Sequence, residues 1–373
     1  MTSAPLVSIM MPAYNAGPFI ARAIESVLAQ TCADWELVIV DDGSTDETAA
    51  IAAAFRDPRV TLVRQANAGE AAARNTALSL MRGRLLAFLD ADDAYLPGHI
   101  EAAVRYLEHH PRCDAVYTDG YYCDERDSRL EKLSARRIPP VEGRIFEHLV
   151  RTSSVFGPPL CVVLRRDLVE RHRLRFDPEI VIGPDWDFFV RYSDLAEFGC
   201  ERSATCLYRV HGNSITARAR AERGRADLAR CRTKAIRMES FRLCSVPTRR
   251  FVFYDLLVNL LADSPERQAE VVHWPQFEEL PRREQAGLLR LMAAGLLRRG
   301  RFAPELIGWL ERSRALDRAD IKGALLSAAY GLSPRLCAAL LRAKDVLLGR
   351  PGSAPERVHP RADGPAPLGT PAR

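Results

Sequence analysis

The feature that most constrains this chain is a rhythm. Over roughly the first 120 residues, short apolar runs alternate with stretches patterned as helices. Val7-Ser8-Ile9-Met10-Met11 reads as a buried strand stopped by Pro12. After Asn15-Ala16-Gly17, the side chains Ile20, Ile24, Val27 and Leu28 fall on one face of a helix. A second strand runs over 36–41 around Leu37-Val38-Ile39-Val40, Gly43-Ser44 turns the chain, and Asp46 caps a helix running to about Phe55. Val60-Thr61-Leu62-Val63 is a third strand, 70–81 an Ala-rich helix, and Leu85 to Leu89 a fourth strand ending in acid. Pro97 opens another helix in its first turn, and Ala115 to Thr118 is a fifth strand. This alternation predicts an α/β fold with a doubly wound, mostly parallel sheet, and such sheets bind ligands outside the carboxyl ends of their strands.

The polar side chains gather at those ends. Tyr14 and Asn15 follow the first strand, Asp41 and Asp42 end the second, and Asp90, Asp92 and Asp93 end the fourth. Three strand ends therefore meet in one acidic crevice. In Asp90-Ala91-Asp92-Asp93, one carboxylate can hold a hard divalent cation while another reaches a sugar or ribose; the same letters also make a capping turn ahead of Pro97. Asp41-Asp42-Gly43-Ser44 reads either as an ordinary turn or as a carboxylate facing a base N–H or ribose hydroxyl. Gly183-Pro184 leads into Asp185-Trp186-Asp187-Phe188-Phe189, where Pro184 starts a helix and Asp185 falls in its first turn. The helix dipole favours the ionised carboxylate there, which suits a general base and equally suits a helix cap. Trp186 and Phe189 are expected to pack inward.

Beyond about residue 221 the pattern becomes helical, with segments near 221–244, 248–262, 281–299, 303–314, 318–330 and 334–348 separated by prolines. Residues 351–373 are rich in Pro, Gly and Ala and are expected to be a disordered tail. The expected organisation is an α/β domain over 1–220, a helical domain over 221–349 and the tail from 350. Charge follows the same division: residues 1–220 hold 26 Lys and Arg against 31 Asp and Glu, and 221–350 hold 24 against 15. An acidic front half argues against a nucleic-acid-binding body, so no nucleic-acid partner is expected. The basic rear half suits either an anionic membrane surface or a solvated helix face. In the 334–348 segment Leu336, Leu340, Ala343 and Leu347 share one side, as a helix resting on a membrane or packing on the protein's own core would have them. The nine cysteines include no CxxC pair and no leader or membrane-spanning run is read, so reduced thiols and a cytoplasmic place, extending to the inner face of the membrane, are expected. Cys161, in an apolar run, is expected in the core.

Together these segments resemble the inverting family 2 glycosyltransferases, whose domain has the GT-A fold. The resemblance is carried by Val7 to Asn15, by Ala23-Ile24-Glu25-Ser26-Val27-Leu28-Ala29-Gln30-Thr31 and by Val40-Asp41-Asp42-Gly43-Ser44-Thr45-Asp46. Asn67-Ala68-Gly69 with Ala72-Ala73-Arg74-Asn75, and Leu89-Asp90-Ala91-Asp92-Asp93, complete it, over about residues 6–215. The resemblance implies a nucleotide-sugar donor, by family habit a UDP-sugar. Tyr14 and Asp42 would hold the nucleobase beside the Pro12-Ala13 backbone, Arg74 would lie near base and phosphates, and Asp90 with Ala91 would contact ribose or sugar. Asp92 would ligate Mn²⁺ or Mg²⁺, joined by His211 of Tyr208-Arg209-Val210-His211, and Asp185 would deprotonate the acceptor hydroxyl of a cell-surface glycan or lipid-linked precursor. Pro184 stands where the family often has Glu, which puts any acceptor contact of that Glu in doubt. Two other readings remain open: an inactive scaffold of the same fold, against which Asp42, Asp92 and Asp185 speak, and a nucleotidyltransferase, whose Gly-rich basic loop is missing from Met11-Pro12-Ala13-Tyr14-Asn15.

Overall fold

The computed structural model describes residues 4–211 and 221–347; the expected tail and the last residue of the 334–348 segment lie outside them. The chain divides into two compact units, one ending at Asp227 and the other beginning at Leu228.

The first unit is built on a nine-stranded mixed sheet. Its strands are β1 (Val7–Ala13), β2 (Trp35–Asp41), β3 (Val60–Arg64), β4 (Leu85–Phe88), β5 (Ala94–Tyr95), β6 (Ala115–Cys123), β7 (Arg129–Lys132), β8 (Val162–Arg165) and β9 (Phe198–Arg209). Their order is β3-β2-β1-β4-β8-β6-β9-β5, with β7 hydrogen-bonded to β6. Helices α1 (Ile20–Leu28), α2 (Thr48–Ala54) and α3 (Glu70–Leu80) connect the parallel strands β1 to β4; α4 (His99–His109), α5 (Phe146–Leu149), α6 (Arg166–Arg171) and α7 (Pro184–Ser193) follow. Every residue of β1 and β2 is buried, as continuous apolar runs in a sheet covered on both faces require.

The expected rhythm of the first four strands is present, and the switch point of the sheet lies where β1 and β4 pair while their connections run to opposite sides. One local expectation is corrected: Pro12 does not stop β1, which continues to Ala13. The reason is directional. Met10 O accepts from Leu89 N on the β4 side, and Ala13 O accepts from Asp42 N on the β2 side. By strand alternation the missing Pro12 N–H also faces the β4 side. Pairing with β4 therefore ends at Met10–Phe88, while pairing with β2 runs on to Ala13–Asp41. That divergence opens a crevice between the ends of β1 and β4.

At the opposite ends of the same strands a buried lock ties the sheet together. Ser8 Oγ donates to Glu36 Oε1 at 2.6 Å, and Arg82 donates its backbone N–H to Oε1 (2.6 Å) and its guanidinium to Oε2 (2.7 and 3.0 Å). Gly83 N donates to Ser8 Oγ at 2.7 Å, and a Cβ on Gly83 would come within 2.5 Å of Ser8 N, so only glycine fits there. Cys161 is buried, as expected.

The second unit is helical. Its longer helices span Arg282–Arg298, Glu305–Leu316, Ile321–Leu332 and Pro334–Leu347. The expected 248–262 helix is instead Val246–Tyr254 followed by a wider turn over Asp255–Leu260, and the expected 221–244 helix breaks at Met238. Buried Arg232 donates to Asp255 at 2.8 Å. Of the apolar stripe on the last helix, Leu336 and Leu340 are exposed, while Cys337 and Ala338 supply the buried side.

Candidate active site

The crevice is assembled from the loops that follow β1, β2 and β4, the start of α3, the start of α7 and the end of β9. After β1, Asn15 adopts φ 49° and acts as a fastener. Its N–H donates to Ser44 Oγ (2.9 Å) and its side-chain oxygen accepts from Thr45 N (2.9 Å). Tyr14 beside it is 53% exposed, so its ring is free to stack on a ligand. Asp46 accepts from Gly17 N and from Thr48 N, both at 3.0 Å, and so joins the loop after β1 to the first turn of α2.

Asp41 and Asp42 are both buried, and each is heavily bonded. Asp41 accepts from Arg64 Nε (2.9 Å) and Ser44 N (3.2 Å). Asp42 Oδ1 accepts from Gln65 Nε2 (2.7 Å) and Ala68 N (2.9 Å), and Oδ2 accepts from Gly69 N (2.8 Å). Asp42 thus fastens the loop that enters α3, and Oδ2 has a lone pair left for a ligand.

The turn after β4 carries the acids. Asp90 Oδ1 accepts from Arg74 Nη2 at 2.7 Å, and Ala91, next in the turn, is buried. Asp92 Oδ2 lies 2.9 Å from His211 Nε2. Asp93 turns inward and accepts from Arg209 N at 2.8 Å; burial, reinforced by Asp92 and Asp90, pushes its carboxyl well above the usual range. Arg209, buried at the end of β9, holds this turn by donating to Asp92 O (2.7 Å), to Asp124 O (2.8 Å) and to Asp127 (2.6 Å).

Asp185 stands in the first turn of α7, behind Pro184 and after Gly183, which takes φ 81°. Trp186 Nε1 donates to Leu149 O at 2.8 Å, and the Phe189 ring packs 5.2 Å from that of Phe88, so both aromatic side chains face inward as expected and fix the helix. Asp185 is close enough to the α3 start to push the pKa values of Glu70 and Asp90 upward and that of Arg74 further up. Glu70 is set at about 7: burial raises it most, Arg74 opposes, and Asp90, Asp185 and Asp92 add to the rise. Asp90 is likewise raised, by burial first, against the pull of Arg74.

The structure therefore brings Asp90, Asp92, His211, Arg74 and Asp185 to one end of the sheet, with Pro12, Ala13, Tyr14 and Asp42 at the β1 and β2 ends. Three contributors were not singled out from the sequence. Glu70 is, in the sequence, no more than the first residue of the Ala-rich helix. Arg209 was one letter of a family segment. Asp227, far along the chain, accepts from Val181 N (3.0 Å) and Ile182 N (2.9 Å) and so positions the approach to Asp185.

For a divalent cation, Asp92 and His211 offer a carboxylate oxygen and an imidazole nitrogen side by side. Two protein ligands with open positions suit a cation that also takes diphosphate oxygens. Among the described residues no three His, Cys, Asp or Glu side chains form a metal-binding group.

A curled mixed sheet carrying this crevice and followed by helices is the GT-A architecture, and solved structures share it. S. aureus TarS 1–349 aligns over 92% of both chains with TM-score 0.55 at 16% identity, a likeness of fold. Residues 8–173 match the model of glycosyl transferase family 2, and the chain carries a domain of that family. Among curated relatives, the succinoglycan biosynthesis protein ExoO of Rhizobium meliloti is 33% identical over 226 residues, covering 57% of this chain and 63% of that one. The glucosyltransferase WfgD of Escherichia coli is 47% identical over 103 residues, 27% of this chain and 41% of that one. The chain spans less than two thirds of the length of either relative.

Proposed function

We propose that this protein is a metal-dependent inverting glycosyltransferase that moves a sugar from a nucleotide-sugar, a UDP-sugar by preference, to a hydroxyl of a cell-surface glycan or lipid-linked precursor. The observation that carries the reading is Asp92 beside His211 in the same crevice as Asp90 and Asp185, in a family 2 domain. Exposed Tyr14 stacks on the base and Asp42 Oδ2 accepts from it, with the Pro12-Ala13 backbone alongside. Asp92 and His211 hold Mn²⁺ or Mg²⁺, which when bound offsets charge on the departing diphosphate. Asp185 accepts the acceptor's hydroxyl proton as its oxygen attacks the anomeric carbon from the face opposite the leaving nucleotide. WfgD, by name a UDP-Glc:α-D-GlcNAc-diphosphoundecaprenol β-1,3-glucosyltransferase, supports both the UDP-sugar and the lipid-linked acceptor.

A membrane-borne acceptor gives a use to the exposed leucines of the helical unit. Leu325, Leu332, Leu336 and Leu340 stand out of its last two helices beside exposed Arg335, Arg342 and Lys344, a mixture that suits an anionic bilayer surface. Among the described residues no helix is long and apolar enough to cross a membrane. Wild type should sediment with phosphatidylglycerol vesicles and Leu336→Glu with Leu340→Glu should not; equal sedimentation would remove the membrane role.

The central test is thermal stabilisation by UDP, GDP and dTDP with and without Mn²⁺, on wild type and Asp92→Ala. A ligand at one hundred times its Kd stabilises by about 2.7 kcal/mol. A Mn²⁺-dependent shift with one nucleotide, lost in Asp92→Ala, is expected. No shift with any nucleotide would favour an inactive scaffold of the same fold.

A further inference from the structure

Arg74 belongs to the donor site by resemblance, yet its side chain is only 1% exposed. It spans two carboxylates, with Nη1 2.7 Å from Glu70 and Nη2 2.7 Å from Asp90. Those carboxylates keep 26% and 28% of their side-chain surface. The guanidinium therefore lies behind and the two acids stand in front. The Phe176 ring, 5.5 Å from the guanidinium carbon, packs against it as well. Nη2 makes a directed hydrogen bond to Asp90, whereas Nη1 meets Glu70 as an ion pair without hydrogen-bond geometry, and Nε is buried behind both acids.

We propose that Glu70 and Asp90 form a two-carboxylate pair that recognises hydroxyls of the donor's glycosyl group, with Arg74 as the positioning residue beneath them. The inference rests on the glycosyltransferase reading and reassigns Arg74 within it. A buried guanidinium shared by two acids has little charge left for a diphosphate, and the acids in front of it would repel one. Neutral sugar hydroxyls are the opposite case: each can both donate and accept, so it pairs with a carboxylate whether that group is ionised or carries a proton. Arg74 uses one oxygen of each acid and leaves the others for hydroxyls. Because one guanidinium fixes both acids, their separation is set, and a fixed pair of acceptors discriminates between hydroxyl arrangements. The groups facing Glu70 are Arg74 on its own helix, Asp90 and Asp92 from the turn after β4, and Asp185 from α7.

The test separates the sugar from the nucleotide. Calorimetric titration with Mn²⁺ present compares UDP with UDP-glucose on wild type, Glu70→Ala and Glu70→Gln; if the thermal panel selects guanine, GDP and GDP-mannose replace them. Glu70→Ala should weaken the nucleotide sugar about tenfold and leave the nucleoside diphosphate within about twofold, with Glu70→Gln between. Deoxy-sugar donors should bind wild type less well and Glu70→Ala no worse than the parent sugar. Equal losses for sugar and diphosphate would make Glu70 merely structural, and no loss for either would remove it from the site; both overturn the proposal and leave the glycosyltransferase reading standing. No binding of UDP, GDP or dTDP by wild type would sink that reading, and this proposal with it.

Discussion

Two carboxylates at opposite ends of the same parallel sheet, Glu36 buried and Glu70 partly exposed, behave in opposite ways. At the floor of the sheet, burial works to raise the pKa of Glu36, but the Ser8 hydroxyl, the Arg82 N–H and the Arg82 guanidinium outweigh it, and the carboxyl ends below its ordinary range. In the crevice, burial of Glu70 also comes first, Arg74 opposes it, and Asp90, Asp185 and Asp92 face it, so it is pushed up to about 7. Loss of solvent works in the same direction on both. What differs is the surrounding groups: hydrogen-bond donors at the floor, like charges in the crevice. The floor is a satisfied network that holds strands; the crevice is an unsatisfied one of the kind that ligands and cations complete.

The sharpest way to break this comparison is to remove one charge from each end. Asp185→Asn keeps the shape of the crevice and takes away the proposed base. Release of nucleoside diphosphate in the presence of acceptor should fall about 10³-fold, within the range for general bases, while the Mn²⁺-dependent thermal shift persists. Full activity would remove Asp185 from the chemistry. Glu36→Gln should do the reverse. Its amide has one acceptor oxygen where the carboxylate has two, so either the Ser8 hydroxyl with the Arg82 N–H or the Arg82 guanidinium must face an NH2, which should cost about 2 kcal/mol of stability, read as faster hydrogen exchange in β1 and β2. Nucleotide affinity should stay within about twofold. An unstable crevice with an unaffected floor would invert the assignment of the two ends.

The sequence made the crevice legible because β strands that end in acid announce themselves locally. Apolar runs into Asp41-Asp42 and Asp90-Ala91-Asp92, and Gly183-Pro184 ahead of Asp185, need only short-range pattern to be seen. What stayed hidden depends on distance along the chain. Strands β5, β7, β8 and β9 are absent from the periodic reading: β5 is two residues long, β7 is largely exposed, and β8 and β9 take their places through partners as far away as Ala115 with Phe198. The extent of β1 past Pro12 was hidden too, because it depends on which neighbour the missing N–H faces. Glu70 has the letter of an N-terminal helix acid, and only the arrival of Asp90 and Asp185 from other segments changes its character. Asp227 reaches Val181 and Ile182 from more than forty residues away, and nothing in its local sequence reports it.

The gentlest probe of the comparison is pH, where the two ends should move stability in opposite directions. Glu70 has a folded pKa of about 7, above the 4.5 of a free glutamate, so the stability linked to it is fully present below 4.5 and is lost as pH rises through 7. Glu36 has a folded pKa below 4.5, so its contribution is present above that value and is lost as pH falls through the folded one. Hydrogen exchange across pH 4–8, corrected for intrinsic rates, should show wild type losing protection relative to Glu70→Gln between about 5 and 7, at the start of α3 and the turn after β4. Glu36→Gln should keep that loss and lack only the acid limb below about 4.5, at β1 and β2. Parallel pH profiles for wild type and Glu70→Gln would mean that Arg74 offsets both the burial of Glu70 and the like charges around it, so that Glu70 titrates as an ordinary carboxylate.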